Sequence, residues 1–317
     1  DGSIDDVDTA ASVAKDIGYP IMLKAAFGGG GKGMRIVEDE EGLRKVFELT
    51  SSEALAAFGN GAVFMERFLP SPRHIEVQVA GDAFGNALHF AERDCSMQRR
   101  HQKIIEEAPA FGLPEKLLND IRAAAAELVA HTGYQTVGTV EFLVQGDEFF
   151  FLEVNPRIQV EHPVTEMVTG VDLVQLQIQL AAGQKMPMTQ DEVQVRGHSI
   201  EIRVNAEDPW TFLPSPGTIT GYHAPGGPGI RIDSAVHEQA MVQPYYDSLV
   251  AKLIATADDR PTAIKKMLWA IDQFVVEGIR TTIPLQRTLL EGDAFRESNF
   301  HTRYVDNWLQ ERKNSEG

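Results

Sequence analysis

The residues with the clearest chemical pattern lie between Glu141 and His162, in EFLVQGDEFFFLEVNPRIQVEH. Two apolar runs flank Gly146-Asp147, the punctuation of a β-hairpin. Glu141 and Glu153 stand at even separation from the turn centre at Asp147. A three-residue loop there predicts that they face each other on one side of a two-stranded ribbon. Asn155, Arg157, Gln159 and Glu161 follow on every second position. Opposed like charges destabilise a sheet unless a cation lies between them, and hard oxygen ligands of this kind suit magnesium. A solvent-facing hairpin with ordinary surface charges is the competing reading.

A second stretch, FGGGGKGM at 27–34, joins two short strand-like runs, IMLKA and MRIV. Consecutive glycines let a ligand approach the backbone closely, and their N–H groups can cradle phosphate. The spacing fits neither GxxxxGK[ST] nor GxGxxG between a strand and a helix. It predicts a flap over nucleotide phosphates, flanked by Lys24 and Lys32, with a flexible surface hairpin as the alternative. A third cluster, Arg93, Arg99, Arg100, His101 and Lys103, is basic within an otherwise acidic chain. A local anion pocket or a surface ion-pair network would account for it.

The elements that must position these groups follow from hydrophobic period. Helices are expected at 4–17, 38–58 (with a break at Thr50-Ser51-Ser52), 114–131, 172–182, 261–275 and 303–312. Strands are expected at 21–25, 34–37, 62–68, 74–79, 86–91, 137–145, 149–155, 197–204, 229–232 and 249–256. His74, Glu76 and Gln78 alternate with Ile75, Val77 and Val79, and Glu201 shares a face with Arg203. Pro163 is expected to end the strand pattern, and 209–228 reads as loop with one short strand.

The chain has 317 residues, 43% of them hydrophobic, and a formal net charge of −17. That is enough apolar content for two or three modules. The acidic balance excludes a broad nucleic-acid face. No run of about 20 apolar residues marks a membrane span. A lone Cys95 has no partner for a disulfide or a zinc motif, so a reducing, cytoplasmic setting is expected, or the mitochondrial matrix in a eukaryote.

Five stretches together resemble the biotin carboxylase branch of the ATP-grasp enzymes: KAAFGGGGKGM (24–34), PRHIEVQV (72–79), ERDCSMQRRHQK (92–103), EFLVQGDEFFFLEVNPRIQVEHPVTEMVTG (141–170) and RGHSIEIRVNAEDP (196–209). The resemblance implies an α+β chain, an ATP-grasp fold with a mobile glycine-flap lobe and a C-terminal biotin carboxylase domain. It divides the chain at 1–68, 69–195 and 196–312, with a polar tail at 313–317. It further implies phosphorylation of bicarbonate by ATP, with Mg2+ or Mn2+, to carboxyphosphate, and carboxylation of biotin borne on a carrier.

The resemblance also implies roles. Lys24, Gly28, Gly29, Gly30, Gly31 and Met34 would hold ATP, with its phosphates at Lys24 and the flap. Glu66, Arg67 and Leu69 would line the adenine pocket, and His74, Gln98 and His101 would contact ribose or phosphates. Glu141 and Glu153 would bind the metal with Asn155 beside them. Lys103, Arg157, Gln159 and Val160 would hold bicarbonate. Glu161 would be the general base and Arg203 would stabilise the biotin enolate. The partners implied are a biotin carboxyl carrier protein or domain, a carboxyltransferase component and a second copy of the chain, with no nucleic acid and no membrane.

Two departures stand out. Arg67 occupies a position where many relatives have Lys, and the two cations differ in hydrogen-bond geometry. Family members also carry a Rossmann-like N-terminal domain before these residues, so the chain reads as lacking it and is expected to have little carboxylase activity alone. Two rival readings are another ATP-grasp ligase and a non-catalytic fragment that keeps only nucleotide or assembly contacts. RIQVEHPVTE and Arg203 favour biotin over the first rival.

Overall fold

The computed structural model describes residues 4, 6–26 and 34–316. The glycine flap at Gly28–Gly31 and Lys32 lie outside the described residues. Contacts divide the chain into two units, Asp1–Pro70 and Ser71–Gly317.

In the first unit, α1 (Val7–Ile17) starts where the Asp6 carboxylate accepts the N–H groups of Asp8 and Thr9 at 3.0 and 2.8 Å. That cap sets the start later than the expected residue 4. Ile4 instead bridges Val63. A three-stranded antiparallel sheet has β1 (Ile21–Ala25) between β2 (Met34–Val37) and β3 (Val63–Arg67). α2 (Glu40–Phe58) runs through the expected break. Thr50 Oγ1 donates to Val46 O at 2.8 Å and Ser51 Oγ to Gly61 O at 2.7 Å, so both hydroxyls are satisfied without ending the helix. Ala10, Ala14, Ile21, Leu23, Leu43, Phe47 and Val63 form this unit's core.

The second unit is built on β4 (Arg73–Gly81), β5 (Ala87–Arg99), β6 (Gln102–Ala108), α3 (Glu115–Thr132), β7 (Thr136–Gln145), β8 (Glu148–Asn155), α4 (His162–Thr169), α5 (Leu173–Ala181) and β9 (His198–Asn205). β10 (Gly217–Thr218), β11 (Gly221–His223), β12 (Ile230–Ser234), β13 (Met241–Val242) and β14 (Leu249–Ala257) follow. The chain continues through α6 (Arg260–Gln273), β15 (Val275–Glu277), α7 (Ile283–Glu291), α8 (Asp293–Arg296) and α9 (Tyr304–Glu316). Its main sheet is antiparallel throughout, in the order β12-β14-β9-β6-β5-β4-β7-β8. Strands from both sides of the expected division at 195/196 share this sheet.

One face of the sheet is apolar. Ile75, Val77, Val79, Val140 and Phe142 pack with Ile121 and Ala125 of α3. Ile200, Ile202, Leu253, Ala263, Met267 and Leu289 join β9 and β14 to α6 and α7. The opposite face carries His74, Glu76, Gln78, Glu141, Glu201 and Arg203. All nine residues of β4 are buried, so the alternation of polar and apolar residues does not mark a solvent face here. Burying charge on that scale requires pairing.

Several expectations change. α4 follows the proline expected only to stop a strand: Pro163 sits in its first turn, where a missing N–H costs nothing. Pro284 does the same in α7, also unexpected. The segment expected as a polar tail from residue 313 is helical through Glu316. Strands β4 and β5 are longer than expected, and the basic cluster lies in β5, β6 and their turn.

Candidate active site

The hairpin of β7 and β8 turns through Gly146-Asp147 alone, with Gln145 opposite Glu148. A two-residue loop would offset Glu141 from Glu153 by one place. A β-bulge at Leu152 of β8, opposite the step from Glu141 to Phe142, restores the match, so the two glutamates are directly paired as expected, by a different route. The pairing extends across four strands. Arg93 on β5 opposes Glu76 on β4, Glu76 opposes Glu141 on β7, and Glu141 opposes Glu153 on β8.

Three carboxylates in one row demand compensation. Arg93, fully buried, donates to Glu76 Oε1 at 2.6 Å, to Gln78 at 2.8 Å and to Thr165 at 2.9 Å, and reaches Gln159 Oε1 at 3.3 Å. Lys103 Nζ, its side chain 11% exposed, donates to Glu76 Oε2 and Glu161 Oε1 at 2.5 Å each and to Glu141 Oε1 at 3.3 Å. Glu141 Oε1 also accepts from Gln159 at 2.7 Å and Asn155 at 2.8 Å, and its Oε2 lies 2.8 Å from His74 Nε2. Gln98 lies 3.4 Å from the other His74 nitrogen and donates to Cys95 O at 3.0 Å.

Burial alone would raise the carboxyl pKa of Glu76, but Lys103 and Arg93 outweigh it and hold it at about 2. Glu141 is likewise held at about 2, burial being overcome by His74, Lys103 and Gln159. Burial works against the Lys103 ammonium, yet the carboxylates around it push its pKa up. Burial raises the Cys95 thiol well above its ordinary value, which leaves it a neutral packing group under the site.

Regular strand ends at Asn155, and the expected alternation onward through Glu161 does not continue as strand. The irregular 156–161 segment still delivers its groups. Gln159 and Glu161 are buried; Arg157 is exposed, donating to Asn155 Oδ1 at 3.1 Å and Ile158 O at 3.3 Å. Lys252 Nζ donates to Val160 O at 2.8 Å and fixes the backbone there. Glu161 then caps α4 by position, and its Oε2 accepts from Arg203 at 3.0 Å. The Glu161 carboxylate therefore lies between an ammonium and a guanidinium.

The structure thus brings together His74, Gln98, Lys103, Glu141, Glu153, Asn155, Gln159, Glu161 and Arg203. His101 is exposed at the β5–β6 turn and makes no hydrogen bond among the described residues. Arg100 and His101 both have positive φ there, the geometry of a two-residue hairpin turn. In the first unit Lys24 donates to Glu66 and lies 5.7 Å from the Phe64 ring centroid. Met34 is exposed, Arg67 closes β3, and Leu69 is buried.

Reading the sequence for site residues missed Glu76, Arg93 and Lys252 as working parts. Glu76 already shared a face with His74, and Arg93 stood in the basic cluster. Lys252, alone in the apolar run LVAKLIATA, carries a detectable signal: a single charge in a central strand needs a partner.

Glu141 and Glu153 supply hard oxygen donors of the type magnesium takes, while the Asn155 amide nitrogen donates to both and its oxygen accepts from Arg157. Glu153 is exposed and has only the Asn155 amide at 3.2 Å among the described residues, so a cation there relieves its repulsion with Glu141. The donor set fits a divalent ion.

A large antiparallel sheet with a carboxylate row, and a smaller three-stranded unit before it in sequence, are the architecture of an ATP-grasp chain, as the matches to known proteins show. Residues 1–189 match the family described as carbamoyl-phosphate synthase L chain, ATP binding domain, and residues 201–307 match the biotin carboxylase C-terminal domain. The chain is 49% identical over 310 residues to a biotin carboxylase of Haemophilus influenzae, covering 98% of this chain and 69% of the relative. It is 47% identical to a pyruvate carboxylase component of Methanothermobacter thermautotrophicus, covering 97% and 63%. A Campylobacter jejuni biotin carboxylase structure aligns with a TM-score of 0.88 at 47% identity, over 97% of this chain and 69% of that one. The biotin carboxylase domain of a thermophilic 2-oxoglutarate carboxylase bound to bicarbonate aligns at 0.92 and 43% identity, over 97% and 68%. The chain belongs to the biotin carboxylase family. Among the described residues no helix is long and apolar enough to cross a membrane.

Proposed function

We propose that this site carries out ATP-dependent carboxylation of biotin with bicarbonate, through carboxyphosphate. The observation that carries the reading is the placing of Glu161 between Lys103 and Arg203. Bicarbonate lies against Lys103, Arg157, Gln159 and the Val160 backbone, where a guanidinium fork and an ammonium match its charge and planarity. Glu161 takes the bicarbonate proton as the bicarbonate oxygen attacks the γ-phosphorus and the bond to ADP breaks. The carboxyl group then passes to biotin N1 as the C–O bond to phosphate breaks, the departing phosphate taking the N1 proton, and Arg203 stabilises negative charge developing on the ureido oxygen of biotin. Phosphoryl transfer needs mostly positioning and neutralised charge. Glu141, Glu153 and Asn155 would hold magnesium, which neutralises phosphate oxygens when bound.

ATP binds in this reading to Lys24, Gly28–Gly31, Met34, Glu66, Arg67 and Leu69, with His74, Gln98 and His101 toward ribose or phosphates. The functional divisions are 1–68, 69–195 and 196–312. Biotin arrives on a carrier protein or domain and leaves to a carboxyltransferase component, and the full-length protein works as a homo-oligomer. A relative crystallised as a biotin carboxylase domain dimer with MgADP and bicarbonate supports the cofactors and the assembly. Phosphate release from ATP that requires both bicarbonate and biotin tests the reading. Release at the same rate without biotin would assign another acceptor.

A further inference from the structure

Behind Arg203 lies a pair of carboxyl groups that the proposed reaction does not use. Glu106 on β6 and Glu201 on β9 are directly opposed in the sheet, and both are fully buried. Opposed residues in an antiparallel pair hold their Cβ atoms about 4.5–5.5 Å apart. Glu106 Oε1 accepts from Arg203 Nε at 2.6 Å. The other three oxygens of the pair, Glu106 Oε2 and both of Glu201, have no hydrogen-bond partner among the described residues. On the same face Ala108 and Ile254 pack against Val164 and Val168 of α4, and Ile254 is the residue opposite Glu201 on β14. The pair therefore has an apolar lid.

Two buried carboxylates with one guanidinium contact between them cannot both stay charged at small cost. The other charged groups around them are committed. Lys103 serves Glu76, Glu141 and Glu161; Lys252 donates to Val160 O and lies 3.4 Å from Asp233. From α4, Glu166 is held by Arg231 at 2.6 Å and the His162 ring is turned to Gln159 O at 2.7 Å.

We propose that Glu106 and Glu201 share one proton and act as a positioning pair for Arg203. Glu201 keeps the proton and donates it to Glu106 Oε2. Glu106 thereby holds its charge on Oε1, against the Arg203 Nε–H. The guanidinium is left with its outer nitrogen aimed at Glu161. Direction of ionisation agrees: burial pushes the Glu106 carboxyl up to about 7 and Glu201 well above the ordinary range. The pairing itself stands independently of the proposed reaction; only its use in aiming Arg203 rests on that reading.

The test needs no turnover. Infrared spectra of the wild-type protein at neutral pH should contain a carboxylic-acid carbonyl band that slows in exchange with heavy water and vanishes in Glu201→Gln. Thermal midpoints measured from about pH 5 to about pH 8 provide the second arm. A carboxyl whose folded pKa is raised loses stability as pH climbs from its unfolded value through its folded one. The wild-type midpoint should therefore fall relative to that of Glu201→Gln as pH rises. For aiming, the Arg203 Nε–H proton resonance, assigned by its loss in Arg203→Lys, should titrate over this range in the wild type and stay flat in Glu201→Gln. No acid band in the wild type, or parallel midpoint curves, overturns the shared proton. An Arg203 resonance indifferent to Glu201→Gln overturns the positioning role while leaving the proposed reaction untouched.

Discussion

Lys103 Nζ and Glu161 Oε1 lie 2.5 Å apart, although the two residues are 58 positions apart in sequence. The ammonium that contacts the proposed base is the same one that neutralises Glu76 and Glu141. The carboxylates of the proposed metal site and the proposed base therefore share one cation, and a change at either end is felt at the other.

Glu161→Gln keeps the shape but removes the proton acceptor. Biotin-dependent ATP cleavage should drop about 10²–10⁴-fold, the usual range for losing a positioned base. Nucleotide affinity by isothermal titration should change little. An equal loss of affinity would mean that Glu161 binds rather than reacts.

Arg93→Met leaves Glu76 buried with one cation fewer and removes the donors to Gln78, Thr165, Gln159 and, at 3.1 Å, Thr139 Oγ1. Breaking one side of a buried pair costs about 3–5 kcal/mol. Urea denaturation should show a loss of that order. A loss under about 1 kcal/mol would show that Lys103 alone suffices.

Glu153→Gln removes one like charge from the carboxylate row. The magnesium concentration for half-maximal ATP cleavage should rise about tenfold or more, a scale seen even for weakened supporting contacts. The thermal midpoint without metal should hold steady or increase. A lowered midpoint with unchanged magnesium dependence would place the ion elsewhere.

Glu107 is buried with His198 at 2.7 Å and Arg260 at 2.6 Å, and the Arg260 guanidinium lies over the Phe111 and Phe295 rings. Burial would raise the Glu107 carboxyl, but His198 and Arg260 lower it below its ordinary 4.5. A depressed folded value stabilises above the unfolded pKa and is lost as pH falls through the folded one. The wild-type midpoint should therefore fall on acidification below about pH 4.5, and Glu107→Gln should flatten that slope. Identical slopes would remove Glu107 from the acid transition.

Much of this was legible in the sequence where a pattern is local. The strand period placed Glu141 opposite Glu153 and Glu201 beside Arg203, and the quoted motifs carried the family. What stayed hidden depends on distant chain. Nothing near residue 152 announces the bulge that restores the Glu141–Glu153 register, because it answers to the partner strand. Pro163 reads as a stop, yet it sits in the first turn of a helix. The alternation at 74–79 gave Glu76 no partner, because Arg93 and Lys103 reach it from two other strands.

Transfer of labelled carbon from bicarbonate to biotin, followed in the full-length wild-type protein and in its Arg203→Gln and Glu161→Gln variants, bears on the whole arrangement at once. ATP-dependent labelling of biotin that both variants lose, with the fold intact, is the outcome expected. ATP cleavage that proceeds equally with and without biotin, leaving biotin unlabelled in the wild type, would contradict it.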